Sequence, residues 1–501
     1  MANKYLILFI ILLAILLRWY HIDFLSLWYD EGDTIFRSAN FFEYIPKYIT
    51  YQDGEYNNIS ASIHSIFDIH GLSVSPPLYF FVMNIWVQSF GITETAVRSF
   101  SALFGALAVL LVYWLTKKLF APKTALIAAF LFAINSYNVV YSQEARTYTF
   151  LVALGLGAAY SCYSLLETRQ RRWWIALTII NVLGIYTHTH FIFLIAAEIA
   201  FFLFHFSTYR AALKTFVLSL AASALLYLPW LPHFYYANQY ARQFYWLNVF
   251  HIVDAPLTYI VFGIGQTLIQ KESAVWAIIL VTFLYGIGFG IPAIMGIFKD
   301  MNSEKKQIAF LLTFAIVPVI IPALLSQFYY PIFQWQYVMV AAPAFIILVA
   351  RGLTHLRFAP FFLIIIIGLS AASLAHYYTI PIFKGDYRAA VSIIQQNEQP
   401  NDIIIVHSPQ IIPLFNYYYR GTLPVVGFPS PSEPLNGQNI IVTLENLETL
   451  PALVSGYKRM WVIERLVHDP DKLLVPYLDA HYTRLYFNQF VWIRVYLYQT
   501  G

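Results

Sequence analysis

Apolar stretches long enough to cross a bilayer recur along the first three quarters of the chain, separated by short polar tips. A hydrocarbon core about 30 Å thick takes roughly 20 apolar residues in a helix. That measure predicts eleven spans, at 5–22, 96–116, 123–140, 147–166, 173–187, 190–206, 213–230, 274–298, 307–325, 337–350 and 358–376. PPLYFFVMNIWVQSFG (76–91) has a helical pattern but is short, so it is expected on the membrane surface, as is TIFRSANFFEYIPKYI (34–49). The pattern changes after residue 376. DYRAAVSIIQQ (386–396) has helical spacing, whereas DIIIVHS (402–408), NIIVTL (439–444) and RMWVIE (459–464) are short β-type runs. LYFNQFVWIRVYLY (485–498) reads as one or two more strands. Strands alternating with helices predict a small α/β domain. The expected fold is mainly α: a polytopic helical bundle over 1–376, carrying an outer loop at 23–95, followed by an α/β domain over 377–501.

Composition supports the membrane reading. The 501 residues are 59% hydrophobic and only 11% charged, against roughly 25% charged in soluble domains. A net charge of +4 offers no basic face for nucleic acid. The single cysteine, Cys162, excludes an intrachain disulfide framework and a multi-thiolate zinc site. The N-terminal apolar run lacks a small-x-small cleavage signal, so it reads as a retained first helix. Lys117, Lys118 and Lys123, then Arg169, Arg171 and Arg172, then Arg210 and Lys214, then Lys299, Lys305 and Lys306, then Arg351 and Arg357 all fall on one side if the spans alternate. Basic loops mark the cytoplasmic side. The expectation is a multi-pass plasma-membrane protein, N-terminus inside and C-terminal domain outside.

The outer tips gather the groups that can do chemistry. SLWYDEGDTI (26–35) sets Asp30 and Glu31 side by side just beyond the first span. One reading is a helix cap, Asp30 at the start of the following helix with Asp33 three residues on. YSQEARTY (141–148) places Gln143, Glu144 and Arg146 between two spans, YTHTH (186–190) places His188 and His190 between two more, and Arg98 opens the second span. Glu144 and Arg146 could satisfy each other, and the histidines could be ordinary interfacial residues. Ionisable groups at membrane depth tend to mark functional sites. An arginine can hold a phosphate through charge-assisted bonds, and a carboxylate can take a proton from a hydroxyl. Together they suit group transfer from a lipid-phosphate carrier. His188, His190 and Glu31 form a possible metal or acceptor site; a divalent metal is left open. A transporter would instead place polar groups near mid-membrane, often with inverted repeats, and no repeat is visible.

The chain resembles the C-type (GT-C) membrane glycosyltransferases, in their bacterial branch of protein-mannosyltransferase-like, aminoarabinose-transferase-like and rhizobial galacturonosyltransferase-like enzymes. The resemblance rests on LWYDEGDT (27–34), SPPLYFFVMNIWVQSFG (75–91), TAVRSFSALFGALAVLLVYWLTKKLF (95–120), YSQEARTYTF (141–150), GIYTHTHF (184–191), YLPW (227–230) and FKGDYRAAVSII (383–394). It implies a sugar donor on a polyprenyl phosphate and an inverting transfer to an acceptor hydroxyl, of protein, lipid or glycan, at the outer face. By that likeness Asp30 is the general base or acceptor ligand, and Glu31 and Glu144 belong to the catalytic set, with Glu31 a metal ligand or only a support. Arg146 binds the donor phosphate or orients Glu144, and Arg98, Gln143 and Tyr337 also bind the donor phosphate. Two positions depart from the family pattern. Ser75 stands where relatives often carry a histidine before Pro-Pro, with His70 five residues earlier. Gln336 precedes Tyr337 where relatives often carry arginine, and Arg242 or Lys271 would have to compensate. A flippase for a lipid-linked substrate, or a homologue without catalysis, remains the alternative. Asp386 and Arg388, in the outer tail, read as a local pair or a cap.

Overall fold

A computed structural model describes residues 2–41, 75–232, 234–235, 250–268, 275–299, 303–380, 384–429, 441–465, 469 and 472–500. His70, Arg242, Lys271 and the predicted surface helix beyond residue 41 lie outside them. The first part of the chain is a helical bundle. In order come α1 (Ala2–Trp19), α2 (Tyr29–Ala39), α3 (Leu78–Phe90), α4 (Glu94–Leu119), α5 (Pro122–Ile134), α6 (Ser136–Ser142), α7 (Tyr148–Thr168), α8 (Arg171–Thr187) and α9 (Phe191–Phe204). They are followed by α10 (Phe206–Trp230), α11 (Asp254–Ile264), α12 (Val275–Phe298), α13 (Lys305–Phe328), α14 (Trp335–Leu353) and α15 (Ala359–Thr379).

Among the described residues seven helices are long and apolar enough to cross a membrane, or eight if α5 and α6 count as one bent span. Eleven spans are therefore not established. Helices form near all eleven predicted positions, but α8 has 17 residues and α9 has 14. One helix was hidden from the apolar pattern. The segment 231–273, left between two predicted spans, contains α11, whose C-terminal carbonyls at Phe262, Gly263 and Ile264 accept hydrogen bonds from Asn135 and Ser136.

The α5–α6 bend of 56° shapes the interior. Asn135 stops one helix and caps the next by accepting the Asn138 amide at 3.1 Å. The bend leaves the last carbonyls of α5 without intrahelical donors. Arg18, fully buried at the end of α1, donates to Ala133 O at 3.1 Å and Phe132 O at 3.5 Å. Gly105 of α4 makes the close approach possible, because a Cβ there would lie 2.1 Å from Ser142 Oγ and 2.9 Å from Arg18 Nε.

The C-terminal domain carries a five-stranded sheet in the order β2-β1-β3-β5-β4, from β1 (Asp402–His407), β2 (Val425–Phe428), β3 (Arg459–Arg465), β4 (Thr483–Phe490) and β5 (Ile493–Gln499). β1 pairs in parallel with β2 and β3, and β3–β5 and β5–β4 are antiparallel. α16 (Tyr387–Asn397), α17 (Ile412–Tyr418) and α18 (Leu474–His481) complete it. The strand expected over 439–444 is not formed in its described part. Thr443 instead caps a short helix at Leu444–Leu447 by accepting the Asn446 amide. Asp386 caps α16 by accepting the Ala389 amide at 3.1 Å, as a cap reading requires. Its neighbour Arg388 reaches out of the domain, to Glu94 and to Asp23 O.

That reach reflects how tightly the two parts join. One apolar core contains Leu27, Ile35, Tyr79 and Phe100 from the bundle end together with Tyr387, Ile404, Leu414 and Trp461 from the sheet side. Burying such side chains stabilises by roughly 1.5–3 kcal/mol each, so the domain is docked by the same force that folds it. Ser26 Oγ donates to Gly385 O at 2.6 Å, and Tyr418 Oη accepts the Leu27 amide at 2.7 Å.

Candidate active site

The site forms at the bundle end that meets the α/β domain. α2 starts at Tyr29, with Trp28 as its N-cap, so Asp30 and Glu31 both occupy the first turn. The expected cap at Asp30 is not formed: the N-cap lies two residues earlier, at Trp28. Asp33 pairs instead with Arg37, at 2.8 Å. Carboxylates in a first helical turn are favoured by the helix dipole, and successive residues of a helix point about 100° apart. The adjacent acids thus face different neighbours.

Glu31 faces inward and has no exposed surface. Arg98 grips it with Nε on Oε1 and Nη2 on Oε2, each at 2.8 Å. The Ala145 amide donates to Oε1 at 2.9 Å, and Lys384 Nζ to Oε2 at 3.0 Å. Burial pushes this carboxyl up, but Arg98 and Lys384 outweigh it and hold it at about 2. Arg98 is spent on the same structure, since its remaining N–H groups donate to Ile22 O, Leu25 O and Ser26 O. Gln143 donates to Leu17 O, Arg18 O and Tyr20 O, closing the C-terminus of α1. Arg98 and Gln143, expected at the donor phosphate, thus bond to backbone carbonyls and, for Arg98, to Glu31. Glu31, expected as a catalytic or metal-binding acid, sits at the centre of a buried ion-pair network. Each has its bonding capacity committed to the protein itself.

Asp30, Glu144 and Arg146 are held more loosely. The Asp30 side chain is 29% exposed, and its Oδ2 lies 3.4 Å from Arg146 Nη2. Arg146 also donates Nη1 to Asp30 O at 3.2 Å and lies over the Tyr148 ring, at 5.9 Å from the centroid. Its Nε is buried without a hydrogen-bond partner among the described residues, and so is Glu144 Oε2. Buried polar atoms are usually satisfied, so Arg146 and Glu144 each keep bonding capacity that a ligand could use. Burial raises Asp30 above the usual carboxylate range, opposed by Arg146. Burial also pushes Glu144 up to about 7 despite Lys384, whose Nζ stands 3.8 Å from Glu144 Oε1.

His188 and His190 stand on the far side of Arg146. Both rings lie 5.0 Å from that of Tyr337, which is 6.3 Å from Tyr148. His188 Nδ1 accepts the His190 amide at 3.2 Å, and His190 Nε2 meets Ile332 O at 2.9 Å. Burial drives His188 well below the usual histidine value and His190 down to about 4. Both are neutral at pH 7. With Glu31 consumed, the described residues contain no cluster of three His, Cys, Asp or Glu able to hold a metal. The metal reading does not fit this donor set.

Two residues escaped sequence reasoning. Lys384, in the connector ahead of α16, and Arg465, at the end of β3, bring positive charge to the acidic pair from the other part of the chain. Lys384 sat in FKGDYRAAVSII, which signals only the start of a domain. Arg465 left no local trace. Gln336 and Ser75 are found where expected, at the start of α14 and just ahead of α3.

The structure of ArnT from Cupriavidus metallidurans superposes over 99% of this chain and 98% of its own, with a TM-score of 0.64 at 13% identity. The fold is that of a GT-C membrane glycosyltransferase. ArnT bound to undecaprenyl phosphate gives a TM-score of 0.60 at 14% identity, covering 99% of this chain and 98% of that one. The oligosaccharyltransferase AglB from Archaeoglobus fulgidus, in complex with an inhibitory peptide and a dolichol-phosphate, gives 0.55 at 13% identity, covering 99% of this chain and 74% of that one. Residues 74–236 match the family described as dolichyl-phosphate-mannose-protein mannosyltransferase. That GT-C segment holds Glu144, Arg146, His188 and His190. An uncharacterized protein of Aquifex aeolicus (strain VF5) is 26% identical over 131 residues, 25% of this chain and 26% of that protein. The match thus spans about a quarter of that relative's length. The apolar helices and this fold together make the chain a multi-pass membrane protein.

Proposed function

We propose that this protein is an inverting glycosyltransferase that moves a sugar from a polyprenyl-phosphate carrier to an acceptor hydroxyl at the outer membrane face. One observation carries the reading. Asp30 and Arg146 face each other at 3.4 Å, with Arg146 Nε and Glu144 Oε2 left unbonded beside them. ArnT and AglB share the fold and have been seen with undecaprenyl phosphate and dolichol-phosphate, which supports a lipid-phosphate ligand for this chain.

Asp30 is the general base. The acceptor oxygen bonds to the anomeric carbon as its proton passes to Asp30. The bond from that carbon to the phosphate oxygen breaks on the opposite face, and its electron pair stays on the phosphate. Arg146 binds that phosphate, and its charge is already in place when negative charge develops. With Gln336 in place of the arginine that relatives often carry, Arg146 is the cation that meets the phosphate, and Lys384, paired with Glu31, adds only background positive charge. Glu144, neutral or charged near pH 7, lies where it can hydrogen-bond the phosphate or the sugar. The flat rings of Tyr337, His188 and His190 offer a wall for the sugar. Residues 1–376 form the membrane catalytic part and 377–501 an extracytoplasmic domain. The N-terminus is cytoplasmic. The Arg351–Glu304 pair at 2.9 Å and Arg351 over Phe120 gather basic ends of α4, α13 and α14 away from the site.

The test is turnover by purified protein in liposomes, with a panel of polyprenyl-phosphate sugars and crude membrane acceptors, following release of free polyprenyl phosphate. Release that disappears in Asp30→Asn is the expected result. Donor binding without release from any donor would leave a non-catalytic homologue. Movement of donor between leaflets without release would indicate a flippase.

A further inference from the structure

Arg465 comes from the outer domain, yet it stands over the first turn of α2. Its guanidinium carbon is 5.3 Å from the centroid of the Tyr29 ring. Its charge also acts on the Asp30 carboxylate. The strand register fixes this placement. Arg465 pairs with Ile493 across β3–β5, and neighbouring Glu464 is tied to Tyr496 at 3.2 Å and to Arg494 at 3.5 Å. Among the described residues the guanidinium makes no hydrogen bond and no ion pair; its contact is the ring of Tyr29. A guanidinium with free donors can pair bidentately with a carboxylate that its side chain reaches by rotation, and Tyr29, whose ring Arg465 covers, is the residue next to Asp30.

The reading of Arg146 as the donor-phosphate ligand creates a problem that Arg465 solves. Asp30 and a bound phosphate would compete for one cation. Asp30 faces Arg146 and Glu144 on the bundle side, Asp33 and Glu31 on its own helix, and Arg465 on the outer-domain side. Once a phosphate takes Arg146, the surrounding acids repel Asp30, and Lys384 is already bound to Glu31. Resting on the proposed function, we propose that Arg465 is a positioning residue for Asp30: it takes over the carboxylate when the carrier phosphate claims Arg146, so the α/β domain completes the active site.

The test reads binding of undecaprenyl phosphate to the full-length protein in nanodiscs, in wild type, Arg465→Met, Asp30→Asn and the double variant. Arg465→Met is expected to weaken binding about five- to tenfold, because Asp30 then keeps hold of Arg146. The same change in the Asp30→Asn background is expected to do nothing, and Arg465→Lys is expected to keep most of the wild-type affinity. Equal binding by wild type and Arg465→Met would overturn the inference while leaving the proposed function standing. An equal loss in both backgrounds would also overturn it, showing a direct phosphate contact or a general disturbance of the fold. No binding by wild type would remove the proposed function, and this inference with it.

Discussion

Arg98 and Glu31 form a two-pronged ion pair, 2.8 Å at each contact, in which the side chains keep 1% and 0% of their surface. The pair ties α4 to α2. Through Ala145 it also ties in the loop before α7, and through Lys384 the connector to the α/β domain. Four separate stretches of sequence thus meet on one carboxylate, and Asp30 is set beside it by the next peptide unit. Removing one partner of a buried pair leaves an uncompensated charge, which costs about 3–5 kcal/mol. Arg98→Met is expected to destabilise by that order in denaturant unfolding in detergent. The Arg98→Met/Glu31→Met double variant should lose clearly less than the two single losses added together.

Asp30 and Glu31 should separate in kinetics as they do in space. Loss of a general base lowers turnover roughly 10²- to 10⁴-fold. Asp30→Asn is expected to fall in that range while its melting behaviour and donor affinity stay near wild type. Glu31→Gln should show the reverse, with poor folded yield. A well-folded Glu31→Gln protein with abolished turnover would move the catalytic role to Glu31.

Arg146 is predicted to act on the donor. A hydrogen bond to a charged group contributes about 1.5–3 kcal/mol, which is roughly a ten- to hundredfold change in affinity. Arg146→Ala should weaken undecaprenyl phosphate binding by that factor, and Arg146→Lys by less. Titration of the lipid phosphate onto protein in nanodiscs measures both, and unchanged affinity would remove Arg146 from the phosphate site.

Glu144 should leave a pH signature in stability. Its ordinary value is 4.5, and burial raises it to about 7 in the folded protein. Between those two pH values the folded chain holds a proton that the unfolded chain has released. Its contribution to stability is therefore most favourable below pH 4.5, and is lost as pH rises to about 7. Glu144→Gln should flatten that fall in thermal unfolding scans. Lys384→Met removes a cation that lowers the value, so it should extend the fall to higher pH.

Domain docking has its own probe. A Cβ on Gly32 would lie 2.8 Å from Leu414 Cβ of α17. Overfilling a packed contact costs about 1–3 kcal/mol. Gly32→Ala is expected to speed hydrogen exchange in 410–418, and Leu414→Ala in the same chain should reverse part of it. No change in exchange would show that the α/β domain shifts freely on α2.

The sequence by itself determined the membrane bundle, the change to an α/β tail after the last span, and the gathering of Asp30, Glu144, Arg146 and the histidines at one end. Each is a local property: apolar length, the spacing of side chains, and the position of polar tips between spans. It could not rank the acids. Asp30 and Glu31 are neighbours in sequence and opposite in environment, and only the approach of Arg98, Ala145 and Lys384 consumes one and leaves the other. For the same reason Arg98 and Gln143 look like phosphate ligands in a list of outer polar residues. In the fold they answer backbone carbonyls that the ends of α1 and the segment after it leave open. The helix α11 was missed because 11 residues are too few to register as a span, although its C-terminal carbonyls bond to the α5–α6 break. Arg465 reaches the site through the pairing of β3 with β5. Its contact with Tyr29 joins residues more than 400 positions apart, and no periodicity in the chain records it.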